Sequence, residues 1–383
     1  MNAPFVYNKY ATGSKFVGRK EDCSILGNLL AQGENVAIWE PVGTGKKSLV
    51  QQTLTKAKLR GEDFLVGNVN AMDIRSNEAF ALRLGDTVLG MCASTPDEYE
   101  AMVRTFLGGT HFVFDRKVFS RTDSILSLNW EMDDNDLAAA LSLPYRVSES
   151  KGVRMHVIVD EFQNLDLTED SDKLFKAMED AMDGAKATAS SFSYVFIGSM
   201  VNAMDSIFRK RHFFYRRHSR LSLSTVEEKE ISEYVIKGFL SSGKVVDRDL
   251  VAGTCRLFRC NLFYINFFFS ICDAMSKGYI MEPVLLEALD SVIAVNTGRF
   301  VSMVTDLTTF QVSLLKAIID GHTKFSASDV IKRYSLNSSA NVRRLKDALM
   351  KKEIITFEGM EEKPVILDPL FEYWLRNHYF KTL

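Results

Sequence analysis

The chain has 383 residues, too many for one compact core and suited to two or three domains. Apolar residues make up 46% and charged residues 25%, and the net charge is −2. That is a soluble globular composition, and it excludes a chain-wide basic surface for nucleic acid. Five scattered cysteines (Cys23, Cys92, Cys255, Cys260, Cys272) form no C-x-x-C pair with zinc spacing, which excludes a zinc ribbon and fits a reducing compartment.

The N-terminus, M-N-A-P-F-V-Y-N-K-Y, has no basic region followed by an apolar run, so no secretory signal is expected and the expected location is the cytoplasm. The most apolar segment, Leu262–Cys272, is shorter than the roughly 18 to 20 residues a bilayer requires, so no membrane contact is expected. Residues 1–15 read as an extended strap, and F-V-G-R-K-E-D at Phe16–Asp22 leads into a helix-like run over Cys23–Leu30.

Val36–Trp39 reads as a buried strand, followed by a glycine-bearing turn. Lys46–Arg60 then places Leu49, Val50, Leu54 and Ala57 on one helical stripe, with Gly61 as its stop. A second strand over Phe64–Val69 completes a βαβ beginning, which favours a parallel sheet with helices on both faces.

Residues 76–108 read as two helices parted near Ser94-Thr95-Pro96. The stretch from Gly108 to Gly152 reads as a surface excursion. It holds Arg116, Lys117, Phe119 and Arg121, an acidic patch (Glu131, Asp133, Asp134, Asp136), the breaker Pro144, and one short helix over Asp136–Leu143. A strand from Met155 ends in Asp160 and Glu161. A helix over Asp172–Asp183 follows, then a strand over Tyr194–Ile197 ending in Gly198-Ser199, and after the basic run Arg209–Arg220 a fifth strand over Leu221–Leu223.

Beyond Thr225 the pattern is helical: Val226–Leu240, Asp247–Phe258, Leu262–Ser276 and Pro283–Val295 form a helical lid. From about Phe300, three short helices (Thr308–Asp320, Ser326–Tyr334, Ser338–Lys351) and a hairpin of Ile354–Phe357 with Val365–Leu367 read as a winged helix-turn-helix. The expected domains are therefore an α/β core over 1–225, with strap and turn at 1–30, a lid over 226–298 and a winged helix over 299–383.

The chemistry concentrates in V-A-I-W-E-P-V-G-T-G-K-K-S-L-V, Val36–Val50. A strand, a glycine turn and a helix N-terminus favour a bound phosphate, and Lys46 adds a point charge. The phosphate-loop pattern is G-x-x-x-x-G-K-[ST], yet Glu40 stands at the first glycine and Lys47 at the Ser or Thr. With that loop in place, Asp160 suits a Mg²⁺ ion and Glu161 an attacking water, the other reading being a solvated helix start. Ser199 is read either as a polar sensor of the γ phosphate or as a helix cap. Arg216 and Arg217 are read as γ-phosphate sensors or as fingers for a neighbouring subunit, and equally as a solvated basic loop. The turn at Phe16–Arg19 reads as a contact for a nucleotide base or as a plain surface turn.

Taken together, F-V-G-R at Phe16–Arg19, P-V-G-T-G-K-K-S at Pro41–Ser48, V-I-V-D-E-F-Q at Val157–Gln163 and F-I-G-S-M at Phe196–Met200 resemble the AAA+-type P-loop ATPases of the archaeal/STAND group. R-C-N-L-F-Y-I at Arg259–Ile265 and D-P-L-F-E-Y-W-L-R at Asp368–Arg376 extend the resemblance over nearly the whole chain. It implies a P-loop NTPase core with a helical lid and a winged helix, ATP or ADP and Mg²⁺ as cofactors, and a capacity to form oligomers. It places Phe16, Val17, Gly18 and Arg19 near adenine, and Pro41, Val42, Gly43, Thr44, Gly45, Lys46, Lys47 and Ser48 around the phosphates. Asp160 falls on Mg²⁺, Glu161 is the base, and Ser199 is the sensor.

Three departures bear on activity. Glu40 brings a negative charge to the start of the loop. Cys260 and Leu262 replace the lid's Gly and Pro. Lys47 replaces a metal-ligating hydroxyl, and one helical step of about 100° turns Ser48 away from that position.

The preferred expectation is a nucleotide-dependent switch with weak or partner-dependent hydrolysis, with a protein partner met through the lid or winged helix. One alternative is a DNA-binding regulator using Asn341, Arg343, Arg344 and Lys346 on the recognition helix, with Lys332, Arg333, Lys351 and Lys352 on phosphates. Glu358, Glu361 and Glu362 on the wing count against it. The other alternative is a catalytically dead P-loop scaffold for protein contacts.

Overall fold

The computed structural model describes residues 4–116, 119, 125–185, 191–358 and 363–381. Lys117, Arg121, Glu361, Glu362 and the side chain of Glu358 lie outside the described residues. The chain forms two compact units, one of Lys20–Glu40 with Thr53–Leu223, the other of Met1–Arg19, Pro41–Gln52 and Ser224–Leu383.

In chain order the elements begin with α1 (Lys20–Ala31), β1 (Val36–Trp39), α2 (Lys46–Leu59), β2 (Leu65–Asn70), α3 (Asn77–Gly90) and α4 (Pro96–Leu107). Next come β3 (Phe112–Phe114), β4 (Leu126–Leu128), α5 (Asp134–Lys151), β5 (Met155–Asp160), α6 (Ser171–Ala185), β6 (Phe192–Gly198), α7 (Val201–Asp205) and β7 (Ser219–Arg220). The first unit is built on a parallel sheet in the order β2-β5-β6-β1-β7. The two-residue period of its strands sends Ala37, Trp39, Val69, Val157, Val159, Tyr194 and Phe196 into one apolar cluster with α3 to α6. The alternate set, including Val36, Ile38, Ile158, Val195 and Ile197, is buried as well, as expected of a parallel sheet covered on both faces. The fifth strand is Ser219–Arg220, two residues earlier than the apolar run suggested. Parallel pairing with Val36 and Ala37 decides its place.

The stretch between α4 and β5 differs most from the sequence reading. It forms the β3–β4 hairpin and then the 18-residue helix α5, which runs through Pro144. Proline in a helix interior costs about 3 kcal/mol. Here the burial of Leu137, Ala140, Leu141, Leu143, Tyr145 and Val147 offsets it. The acidic patch is the helix's start: Asp133 and Asp136 form a capping box, and the fully buried Asp136 also accepts the His111 N–H and faces His111 Nδ1, both at 2.8 Å.

One buried titratable group sets a pH limit on this unit. His156 in β5 is 2% exposed, its Nδ1 lies 2.8 Å from Ser193 Oγ, and burial, helped by Arg154, pushes its imidazole down from 6.5 to about 4. The unfolded chain then binds the proton first as pH falls, so stability is lost between pH 6.5 and about 4, by roughly 3 kcal/mol. Urea midpoints measured from pH 7 to 4.5 are expected to fall more steeply for the native chain than for His156→Gln. Parallel curves would contradict this.

The second unit continues with α8 (Glu228–Ser241), β8 (Val245–Val246), α9 (Arg248–Leu257), α10 (Leu262–Met275), β9 (Tyr279–Ile280) and α11 (Glu282–Thr305). The chain then forms α12 (Thr309–Ile319), α13 (Ser328–Arg333), α14 (Ser339–Lys351), β10 (Ile355–Glu358), β11 (Lys363–Ile366) and α15 (Pro369–Trp374). A short parallel ladder of β8 with β9 interrupts the otherwise helical lid. The antiparallel β10–β11 pair makes the wing. Phe5 from the strap and Val17 join the lid and winged-helix side chains in a single apolar cluster. Phe5 stands against Phe239 and Tyr234, and fits because Gly238 has no Cβ. Among the described residues, no helix is long and apolar enough to cross a membrane.

Candidate functional site

The phosphate loop leaves β1 and turns through Gly43 (φ 80°) and Gly45 (φ 91°), backbone that favours glycine. α2 begins at Lys46, so the loop delivers successive N–H groups and a helix N-terminus to one place. Lys46 is nearly buried and donates to Pro41 O (2.9 Å), and Thr44 Oγ1 donates to the same oxygen (2.8 Å). Arg19, at φ 52°, donates through Nη1 to Thr44 O (2.5 Å) and through Nε to Ser224 O (2.8 Å). Arg19 thus braces the loop's backbone.

The strap lies along this loop. The Ala11 N–H donates to Ser48 Oγ (3.1 Å) and the Gly13 N–H to Gln52 Oε1 (2.8 Å), while the Lys47 ammonium sits 6.0 Å from the Tyr10 ring centre. These contacts give the departure at Lys47, and its neighbour Ser48, a structural role: both side chains meet the strap. A cavity of about 140 Å³ remains, lined by Tyr7, Phe16, Val17 and Arg19 on one side and by Gly43, Gly45 and Ser48 on the other, with Leu262, Phe263 and Asn266 closing it. Gly18 backs onto the lid, where a Cβ would stand 2.7 Å from Glu230 Oε2. Val42 is largely exposed.

In the sheet unit, Trp39 pairs with Gly198 and Asp160 with Ile197, so Glu40, Ser199 and Glu161 follow at adjacent strand ends. Ligands of open α/β sheets bind at this edge. Asp160 is nearly buried. Glu161 takes a left-handed conformation (φ 54°) and opens the 3-10 turn Phe162–Leu167. That turn brings Gln163 back: its Nε2 donates to Glu161 Oε2 (2.7 Å), and Ser199 Oγ donates to the same oxygen (2.5 Å). Gly198 makes room for the amide, since a Cβ there would stand 2.9 Å from Gln163 Oε1. The V-I-V-D-E-F-Q motif gives Gln163 no role. Its spacing of two residues after Glu161 carries no hint of the reversal that the 3-10 turn produces.

Glu40 is accommodated. Its Oε1 accepts the Leu223 N–H (3.3 Å), and its charge acts on Arg220, whose guanidinium lies 4.1 Å over the Trp39 ring. Arg217 is spent on α6, bonding Asp183 Oδ2 (2.5 Å) and Glu179 Oε1 (2.9 Å). Those carboxylates hold it in an ion pair with α6. Arg216 is exposed beside Tyr215. In the winged helix, Asn341 Nδ2 donates to Leu336 O and Lys346 lies over the Phe325 and Phe357 rings, while Arg343 and Arg344 face solvent.

A parallel sheet with helices on both faces, a phosphate loop after β1, a helical lid and a winged helix define the fold of the P-loop ATPases that carry a C-terminal winged helix domain. Solved structures agree. A Walker-type ATPase of Pyrococcus abyssi superposes with a TM-score of 0.65 at 14% identity, covering 97% of this chain and 99% of that one. The Aeropyrum pernix ORC2 protein in its ADPNP–ADP complexes gives 0.57 at 14% identity over 96% and 94%. Its ADP form gives 0.54 at 14% over 93% and 90%. The family model described as "Probable winged helix domain" matches residues 298–377. Sequence comparison with curated proteins gives no match.

Proposed function

We propose that the chain is an ATP- and ADP-binding switch of the P-loop class with slow magnesium-dependent hydrolysis. The observation that carries this reading is the loop from Pro41 to Ser48, where two left-handed glycines and a nearly buried lysine precede a helix N-terminus. The Aeropyrum pernix ORC2 protein of the same fold was solved with ADPNP and ADP, which supports the nucleotide class. Asp160 is the carboxylate that would hold Mg²⁺. Glu161, oriented by Ser199 and Gln163, would accept the proton of the attacking water. The fit to the metal is incomplete, because Lys47 is a cation and Ser48 is bonded to the strap. Slow turnover follows from that shortage of a ligand.

Lys47→Thr returns a hydroxyl to the position that carries one in the phosphate-loop pattern. Magnesium-dependent ATP turnover is expected to rise at least several-fold in this variant over the native chain. An unchanged rate, with ATP still bound, would contradict the metal-ligand argument.

A further inference from the structure

α5 and α6 lie side by side in the sheet unit, and the Lys173–Asp134 ion pair joins their first turns. Between them runs a cavity of about 770 Å³, within the roughly 300 to 1,000 Å³ that ligand pockets occupy. α5 presents Ala138, Ala139 and Ser142 to it and α6 presents Ala177, Ala181 and Gly184, short side chains that leave the seam between the helices unfilled. A Cβ added at Gly184 would meet nothing within 4 Å.

Tyr145 lines the same cavity and is 7% exposed. Its ring stands against Phe192 and Tyr194 of β6, with centroids 4.7 and 6.3 Å away, so here the cavity reaches the sheet. The Tyr145 hydroxyl is buried and has no hydrogen-bond partner among the described residues. An unpaired buried hydroxyl is costly, and a phenylalanine would make the same ring contacts without that cost. Burial also raises the pKa of the phenol, so the group stays a donor. The donor lacks only an acceptor.

Charge at the rim is balanced and already engaged. Three acids, Asp134, Glu149 and Asp180, face three bases, Arg146, Lys173 and Lys176. Lys173 pairs with Asp134, Lys176 Nζ lies 3.1 Å from Asp180 Oδ1, and Arg146 Nη1 donates to Phe106 O at 2.7 Å. Each base has its acceptor, so the rim favours neither an anion nor a cation.

We propose that the cavity between α5 and α6 is a binding site for an uncharged, largely apolar small molecule whose carbonyl or ether oxygen accepts the Tyr145 hydroxyl. None of the lining residues belongs to the phosphate loop or to the Asp160–Glu161 pair, so the site stands whether or not nucleotide binds. The alanine and glycine walls admit the apolar body, and Tyr145 fixes its orientation.

The test is a fluorescence titration with Nile red, an uncharged planar dye that carries one carbonyl and brightens in apolar surroundings. It is run on the full chain and on Tyr145→Phe, Ala177→Leu/Ala181→Leu and Ala138→Trp. The native chain is expected to bind the dye saturably, and filling the cavity from either helix is expected to weaken binding at least tenfold. Tyr145→Phe is expected to weaken it about three- to tenfold, the loss of one neutral hydrogen bond, and to melt no lower than the native chain. Filling variants on two different helices keep the test decisive if one of them fails to fold. No saturable binding by the native chain, or native-like binding in every filling variant that folds, would overturn the site. Native affinity in Tyr145→Phe would overturn the acceptor chemistry. A native chain that ignores the dye but dimerises, with the dimer lost on filling, would overturn the small ligand in favour of a docked helix.

Discussion

Replacing Lys46 by alanine is expected to weaken ADP and ATP binding about 100-fold while leaving the fold intact. Lys46 is the cation of the phosphate loop, and its ammonium is bonded to the loop's own Pro41 carbonyl. It is nearly buried, so its charge acts in a region of low dielectric. A hydrogen bond to a charged group contributes up to about 3 kcal/mol, which corresponds to roughly 100-fold in affinity. Arg19 is held to Thr44 O and Ser224 O and shapes the backbone, so it does not replace the lost charge. Calorimetric titration of native and variant chains with equal melting temperatures is the check, and equal affinities would remove Lys46 from the site.

Glu161→Gln is expected to lower ATP turnover by about 100-fold or more, with ADP affinity unchanged. General-base catalysis contributes roughly 10²- to 10⁴-fold, and the amide keeps the shape of the carboxylate without its basicity. The structure adds a second arm. Ser199 and Gln163 both donate to Glu161 Oε2, and on the proposed reading the other oxygen, Oε1, takes the proton of the attacking water. Gln163→Leu removes one of the two donors and is expected to cost about tenfold in kcat with little change in KM, as befits a residue that acts through another. Single-turnover rates with Mg²⁺ separate the two. A Glu161→Gln chain that hydrolyses ATP at the native rate would show that this carboxylate is not the base.

Much of the architecture was readable from local pattern. The strand before Glu40, the carboxylate-bearing strand from Met155 and the strand before Ser199 are runs whose burial follows directly from their apolar content, and the helix from Lys46 buries the stripe of Leu49, Val50, Leu54 and Ala57. The winged helix was readable from the spacing of Val342, Leu345 and Leu349 and from the apolar strands flanking the wing. Illegible were features set by tertiary packing. The helix through Pro144 forms because its apolar face is buried, and of the acidic patch Asp133 and Asp136 form its capping box, Asp136 being buried. Arg217 reads as a free cation in a basic run, yet two carboxylates on α6 claim it.

The same distinction holds at the site. The loop and the carboxylates were legible as motifs because their chemistry demands fixed residue types. The bond of Gln163 to Glu161, the bracing of the loop backbone by Arg19 and the approach of Phe263 to Gly43 were not, because they depend on the backbone reversals at Glu161, Arg19, Arg259 and Cys260. Lys47 illustrates the point from the other side. As a letter in a motif it is a missing metal ligand, and in the fold it is also one of the contacts between the phosphate loop and the strap that covers it.

The measurement that tests the central claim most directly is a calorimetric titration of the native chain with ADP and with ATP, with and without Mg²⁺, at a pH where the protein is folded. The account predicts one saturable site for each nucleotide, abolished or weakened about 100-fold by Lys46→Ala. No heat of binding from a chain that melts cooperatively, and no rise in its melting temperature with millimolar nucleotide, would contradict it.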